Sequence, residues 1–346
     1  MNFDFHEYMN TRLKLRFRPD GTFRILILTD PHGGTDSHPQ LKPGIDAIVE
    51  AARPDLLIFG GDMTGHKIGC ASPEELREYV SRITETAERL GIPWAHVYGN
   101  HDYNKGVSNE AQQAVYESFP HCVSKRGPED IHGVGNFVLP ILRSTGEDVA
   151  FQVWGMDTHD DNRRFAETYG LPEDTRFILP EHFAMGYHSD SVHTDQVLWY
   201  YETSRAVEAR LGRKVPGLMV MHIPLPEFCL IPRNPQQTCM TGVMREHVGG
   251  NELNPGLFSA CLQRGDIRGI FCGHDHLNDF CGTYCGVVLG CCAGINYDCG
   301  SNDDQRGGRV VELNEGDPWR LETRMLYLRD VMGAARSDNR GRPEEQ

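Results

Sequence analysis

Five short apolar runs in this chain end in residues that bind cations or move protons, and that recurrence constrains the fold more than any other feature. The runs close on Asp30-Pro31-His32, Gly60-Gly61-Asp62, Gly99-Asn100-His101-Asp102, His222 and Gly273-His274-Asp275-His276. Open α/β sheets place their chemistry at strand ends. Asp62 follows His32, and Asn100 follows Asp62, at roughly the 30 or more residues of one strand–helix–strand unit. In extended backbone, residues i and i+2 share a side, so Asp30 with His32, and His274 with His276, are expected to project together. Alone, each block is weak: Asp-x-His is common by chance, Gly-Gly-Asp is an ordinary turn, and a single strand-terminal histidine is more often a hydrogen-bonded core residue. Five together are not independent accidents, and a run of Asn-His-Asp is costly to bury without partners.

The pattern between the blocks predicts strands over Phe23–Thr29, Leu56–Phe59, Trp94–Tyr98, Phe137–Leu142, Val149–Gly155, Leu218–His222, Gly269–Cys272, Val287–Gly290 and Arg309–Leu313. Helices are predicted over Pro43–Ala52, Pro73–Leu90, Glu110–Phe119, Asp195–Leu211 and Pro255–Arg264. Ser72 before Pro73-Glu74-Glu75 is a strong start for the second of these. Strand–helix alternation in the first hundred residues argues for parallel strands. The runs Phe137–Gly155 and Val287–Tyr327 lack intervening helices and read as antiparallel additions. Residues 1–332 read as one domain, with long loops over Gly155–Asp195 and Pro224–Asn254. Residues 333–346 are polar and aperiodic, a tail expected to be disordered.

Composition narrows the class. Of 346 residues, 34 are Lys or Arg and 49 are Asp or Glu, a formal charge of -15 that argues against nucleic-acid or anionic-membrane partners. No run approaches the ~18 apolar residues of a spanning helix, and the first residues lack the apolar core of a signal peptide. The 11 cysteines are odd in number and include no Cys-x-x-Cys pair. They read as reduced, mostly buried thiols in a cytoplasmic protein.

Taken in order, Asp30-x-His32, Gly61-Asp62, Gly99-Asn100-His101-Asp102, His222 and Gly273-His274-x-His276 resemble the signature of the calcineurin-like metallophosphoesterase superfamily. The stretches His222–Glu227 and Gly273–Gly282 further resemble a narrower group. That group holds the short plant purple-acid-phosphatase-like proteins and a fungal phosphatase that acts as a dosage-dependent cell-cycle regulator. The resemblance implies a four-layer α/β/β/α sandwich, two mixed β-sheets flanked by helices. It also implies two divalent or trivalent metal ions (Fe, Mn or Zn): Asp30, His32 and His276 on one, Asn100, His222 and His274 on the other, with Asp62 bridging. The implied activity is hydrolysis of phosphate monoesters, on a small molecule or a phosphoprotein, by direct attack of a metal-bound hydroxide. A phosphodiesterase on the same site is the alternative, and a catalytically inactive binding protein of the same fold is a further one.

The ligand chemistry agrees with that division. A bridging group needs two oxygens and a charge, which Asp62 has, while Asn100 supplies a neutral oxygen; two divalent cations, two aspartates and a hydroxide then leave a net positive site that attracts phosphate. His101, assigned to no metal, is the candidate general acid; Asp102 either orients its ring or, as the neighbouring side chain, points away from it. True purple acid phosphatases place a tyrosine three residues beyond the bridging aspartate and a glycine in place of His32. Here the first position is Gly65, so no tyrosinate band is expected.

Other residues carry weaker expectations. His66, His96, His159 and His247 read as surface or core residues, Asp157 as a solvated loop acid, and Lys105, Arg126 and Arg306 as possible phosphate contacts. Competing classes lack their motifs: there is no Gly-x-x-x-x-Gly-Lys loop, no His-Glu-x-x-His helix and no Gly-x-Ser-x-Gly elbow. The His-x-His-x-Asp-His run of metallo-β-lactamase-like hydrolases is missing too.

Overall fold

The structure, a computed structural model, describes residues 3–65, 69–104, 106–160, 190–250 and 254–333. The chain opens with a short helix α1 (Phe5–Met9) and a two-residue strand β1 (Leu15–Arg16). It then alternates β2 (Thr22–Leu28), α2 (Leu41–Ala52), β3 (Leu56–Phe59), α3 (Pro73–Leu90) and β4 (Trp94–His96). A 3₁₀ turn (Asn100–Asn104) leads to α4 (Asn109–Glu117), followed by β5 (Phe137–Leu142), β6 (Val149–Met156), α5 (Thr194–Leu211) and β7 (Gly217–Met221). A second 3₁₀ turn (Pro226–Cys229) runs into α6 (Leu230–Arg233). The last third is α7 (Leu257–Arg264), β8 (Ile267–Cys272), β9 (Cys281–Tyr284), β10 (Val287–Cys291), β11 (Gly307–Asn314), β12 (Leu321–Tyr327) and α8 (Leu328–Met332).

These strands build two mixed sheets. One has seven strands in the order β1-β5-β6-β7-β8-β10-β9, the other five in the order β12-β11-β2-β3-β4. The two-residue period of each central strand explains the layering. In the five-stranded sheet Ile25, Ile27, Leu56 and Ile58 face one apolar cluster, while Leu26, Leu28, Leu57 and Phe59 face another beneath α2, α3 and α4. In the seven-stranded sheet Val153, Leu218, Val220 and Phe271 join that first cluster, while Trp154, Met219, Met221 and Ile270 turn outward to α5 and α7. The shared cluster is the seam between the sheets, and helices cover both outer faces. This is the four-layer sandwich.

Helix α3 forms where its cap predicts. The Ser72 hydroxyl accepts the Glu75 N–H at 3.3 Å, Pro73 and two glutamates occupy the first turn, and Gly91 (φ 68°) ends it in the left-handed conformation. Three strands escape the sequence pattern. β1 and β9 are too short to show a period, whereas Leu321-Glu322-Thr323-Arg324-Met325 in β12 carries a real alternation. The supposed antiparallel additions are only half so. β6 pairs antiparallel with β5 but parallel with β7, and β10 antiparallel with β9 but parallel with β8, so both are built into the parallel sheet. The tail beyond residue 333 lies outside the described residues.

Candidate metal centre

The C-terminal ends of β2, β3 and β4 in one sheet, and of β7 and β8 in the other, meet at one edge of the sandwich. Backbone hydrogen bonds zip the emerging loops together. Asp30 N–H donates to Gly61 O (3.1 Å), His32 N–H to Asp62 O (3.0 Å), and Gly273 N–H to His222 O (3.1 Å). Asp30, His32, Asp62 and His274 all have positive φ (53°, 45°, 51° and 69°). Asp30 and His32 do converge, but through tight left-handed turns rather than through the pleat of an extended strand. Such a conformation is uncommon outside glycine and marks a constrained site.

Two glycines show how closely the loops approach. A Cβ on Gly99 would stand 2.1 Å from Asp62 Oδ1, and one on Gly273 only 1.8 Å from Thr29 Oγ1. Neither position has room for a side chain.

Donor atoms then crowd into a buried space. Asp30 Oδ1 lies 3.3 Å from His276 Nε2, 3.6 Å from His32 Nε2 and 3.7 Å from His222 Nε2. Asp62 Oδ2 lies 3.2 Å from His222 Nε2 and 3.4 Å from His32 Nε2. His32 Nε2 is 2.9 Å from His276 Nε2, and His274 Nδ1 is 3.1 Å from Asn100 Oδ1. The structure therefore brings together all seven residues that the resemblance implies as ligands.

The outer atoms of these side chains are already committed. His222 Nδ1–H donates to Gly60 O (2.8 Å) and His276 Nδ1–H to Cys299 O (3.1 Å), so each ring turns its Nε2 lone pair inward. Asp30 Oδ2 accepts the Thr29 hydroxyl (2.6 Å) and the His274 N–H (3.2 Å), leaving Oδ1 for the interior. Asp30 Oδ1 and His222 Nε2 are buried and have no hydrogen-bond partner. Unpaired lone pairs of carboxylates and imidazoles converging in a dry space are what cations satisfy, and nitrogen and oxygen donors suit first-row transition ions. The residues fit a metal centre.

Electrostatics point the same way. Burial alone would raise Asp30 and Asp62, but His222 with His276, and His222 with His101, hold the two carboxyls well below the usual range. Burial would lower His222 and His276, yet the facing aspartates raise them to about 10 and about 9. His274, buried and beside His222, falls to about 3. Protons here take the place of cations.

His101 stands at the rim, its side chain 29% exposed and its Nε2 4.0 Å from Asp62 Oδ2, while its backbone N–H donates to Asp62 Oδ1 (2.9 Å). Of the two expectations for Asp102, the structure shows the second: its side chain turns to neighbouring loops. It is fully buried, and its carboxylate accepts the N–H groups of Gly99 (2.9 Å), Thr64 (3.0 Å) and Met63 (3.3 Å) and the Thr64 hydroxyl (3.1 Å). It ties the Asp62 loop to the Asn100 loop. Burial and the charge of Asp62 raise it to about 6.

Asp157 is likewise no solvated acid. It is buried and accepts the Tyr103 hydroxyl and the Val134 (2.8 Å) and His159 (2.9 Å) N–H groups. Arg306 is spent inside its own loop, donating to Asn296 O (2.6 Å) and Asp303 (2.5 Å) beneath Tyr297. Arg126 gives its backbone N–H to Glu117 (2.8 Å), and among the described residues its buried Nη1 has no hydrogen-bond partner. His96 is a core residue, bonded to the Ser124 hydroxyl at 2.9 Å, and His247 is exposed. His66, Lys105 and most of the 155–195 stretch lie outside the described residues. Thr29 and Cys299 escape sequence reasoning, and Gly60, though part of the Gly60-Gly61-Asp62 block, supports the site through a backbone carbonyl that no side-chain pattern reveals.

Among the described residues, no helix is long and apolar enough to cross a membrane. The chain is similar to the probable inactive purple acid phosphatase 14 of Arabidopsis thaliana, 30% identical over 83% of this chain and 73% of that protein. It is also similar to the phosphatase DCR2 of Saccharomyces cerevisiae, 24% identical over 78% of this chain but only 46% of the yeast protein. Its fold matches a solved dimetal phosphatase from Danio rerio with a TM-score of 0.56 at 12% identity, over 88% of this chain and 96% of that one. Residues 23–278 match the family described as calcineurin-like phosphoesterase, and they span every block of the centre. With that match over most of its length, the chain belongs to the calcineurin-like phosphoesterase family.

Proposed function

We propose that this protein is a dinuclear-metal-dependent phosphatase that hydrolyses phosphate monoesters. The observation that carries the reading is the convergence of buried, unpartnered donors from two sheets around Asp62. Asp30, His32 and His276 would hold one cation, Asn100, His222 and His274 the other, and Asp62 would bridge them. Bound cations of this kind supply Lewis-acid activation of water and neutralise charge on the phosphoryl oxygens. The rest is this chain's own work. Asp62, the carboxylate flanked by His32 and His222, spans both halves of the donor set. His101 stands at the partly exposed rim as the group that would give a proton to the leaving oxygen, while its backbone holds Asp62 in place. Thr29 and the carbonyls of Gly60 and Cys299 keep the donors aimed inward.

The metals are Fe, Mn or Zn. Gly65 stands where a tyrosinate would colour an iron centre, so iron-loaded protein is expected to lack that absorption band. The phosphatase name of the yeast relative supports a phosphorylated substrate, a small molecule or a phosphoprotein. The 11 free cysteines support a reducing, cytoplasmic setting. A second reading, a non-catalytic member of the family, is favoured by the "probable inactive" names of three plant relatives. Against it stand seven ligand positions and a rim histidine, all filled here.

Reconstitution with Mn²⁺, Zn²⁺ or Fe²⁺, followed by assay of an aryl monophosphate beside its bis-aryl diester, separates the readings. Faster turnover of the monoester supports the proposal. Preference for the diester would make the protein a phosphodiesterase, and absence of turnover with every metal would favour the non-catalytic reading.

A further inference from the structure

One strand away from His222, the end of β6 carries a second cluster of metal-binding side chains. His159, Asp190 and His193 are 7%, 3% and 6% exposed, and one donor atom from each lies within 4.8 Å of the others. The imidazoles pack on one another, His159 to His193 at 4.5 Å between ring centres and His132 over His193 at 4.3 Å. His193 Nε2 is 3.2 Å from Asp190 Oδ2. At the rim His132 is held by Asp195 at 2.7 Å.

The surrounding hydrogen bonds fix the tautomer of His159. Asn136 Oδ1 accepts the Asp157 N–H (3.1 Å), a donor with no ambiguity, so the Gln196 group 2.8 Å from that oxygen is its amide nitrogen. The other end of Gln196 accepts the His193 N–H (2.7 Å), which makes it the carbonyl oxygen. That oxygen is 2.9 Å from His159 Nε2, so Nε2 carries the hydrogen. His159 Nδ1 then has a lone pair. Among the described residues, the polar atom that faces it, the Tyr103 hydroxyl at 3.4 Å, gives its single proton to Asp157. A buried nitrogen lone pair beside an acceptor, a second imidazole and a carboxylate calls for a positive charge.

From this we infer that His159, Asp190 and His193 form a third cation site, separate from the centre built on Asp62, for a divalent transition ion such as Zn²⁺. Two imidazoles and one carboxylate are a zinc-type donor set. Gln196 is the positioning residue that orients His159, as the outer hydrogen bond of a metal-binding histidine does. The site joins two separate stretches of chain, since Asp190 N–H donates to Asp160 O (2.9 Å) beside it. It also touches the main centre: Tyr103 follows His101 and Asp102 in one turn, and the Thr158 hydroxyl accepts the Ile223 N–H (3.0 Å) next to His222.

The test is calorimetric titration of chelator-treated full-length protein with Zn²⁺, together with elemental analysis. Wild type is expected to bind three equivalents. The His159→Gln/His193→Gln variant should bind two, and Asp62→Asn should keep the equivalent that the double variant loses. Because the double variant could misfold, Asp190→Asn, checked by circular dichroism, supplies a milder arm with third-equivalent affinity at least tenfold weaker. Co²⁺ bound to Asp62→Asn should show visible d–d absorption that Asp190→Asn removes. Identical stoichiometry in wild type and a folded double variant would overturn the inference. Loss of an equivalent in Asp62→Asn alone speaks to the main centre and not to this one.

Discussion

The two sheets contribute unlike chemistry to the centre. The five-stranded sheet supplies Asp30 and Asp62, both full charges, together with His32, Asn100 and the rim histidine His101. The seven-stranded sheet supplies imidazoles alone: His222, His274 and His276. Neither half is a metal site. Besides His32 on its own side, each carboxylate reaches imidazoles across the seam, and His222 even anchors its outer nitrogen on Gly60 of the opposite sheet. Packing of the apolar seam is therefore a precondition for the chemistry, since both carboxylates stand on one side of it and three of the imidazoles on the other.

Breaking the charged side should do the most damage. Asp62→Asn removes the charge facing both halves of the donor set, and turnover is expected to fall by at least about 10²–10³-fold, the scale on which losing one electrostatic stabiliser acts. Steady-state assay with elemental analysis checks it, and unchanged turnover would show that the two sheets do not share this carboxylate. His101→Ala leaves the ligands intact, so metal content should hold. Its rate should fall by about 10²–10⁴-fold on esters with poor leaving groups and far less on good ones. Equal losses on both would reject the role of acid.

Proton competition sharpens the comparison. In the cation-free protein the aspartates of one sheet hold protons on His222 and His276 of the other, raising them to about 10 and about 9. Both rings must shed that proton to bind, so affinity should climb by about tenfold per pH unit for each cation up to pH ~9. Titration in buffers of different ionisation enthalpy should find proton release near pH 7; none would contradict these shifts.

His96 supplies the smallest and cleanest contrast. It is as buried as His222 but faces no carboxylate, and burial lowers it to about 3. Below its unfolded value near 6.5, the unfolded chain binds a proton that the native state refuses. Its contribution is therefore intact above that pH and is lost as pH falls toward 3. Between pH 6.5 and 5 the loss is about 2 kcal/mol. A His96→Gln variant should show a shallower acid dependence of its denaturation midpoint than wild type. Parallel curves would contradict the assignment.

How much of this is legible in the sequence follows from what each part depends on. The five blocks stand out because metal chemistry demands particular residue types at strand ends, and the fold repeats that placement. Their common edge, the α3 cap and the buried runs are local enough to read. Asp102 is not, because its role depends on backbone N–H groups from Met63 and Thr64, which no side-chain pattern announces. The His159–His193 cluster is hidden for another reason: it exists only because β6 lies beside β7 and α5 returns at Thr194. Even the convergence of Asp30 with His32 has a different cause from the one the pattern suggests, namely left-handed turns at both residues.

The proposal is that cations held on both sides of Asp62 make this chain a phosphatase. Its most direct test measures turnover of an aryl phosphate against equivalents of Mn²⁺ bound, in wild type and Asp62→Asn. Activity is expected to appear as the second of the Asp62-dependent equivalents binds and to be lost in the variant. Turnover independent of bound metal, or filled equivalents without turnover, would contradict the proposal.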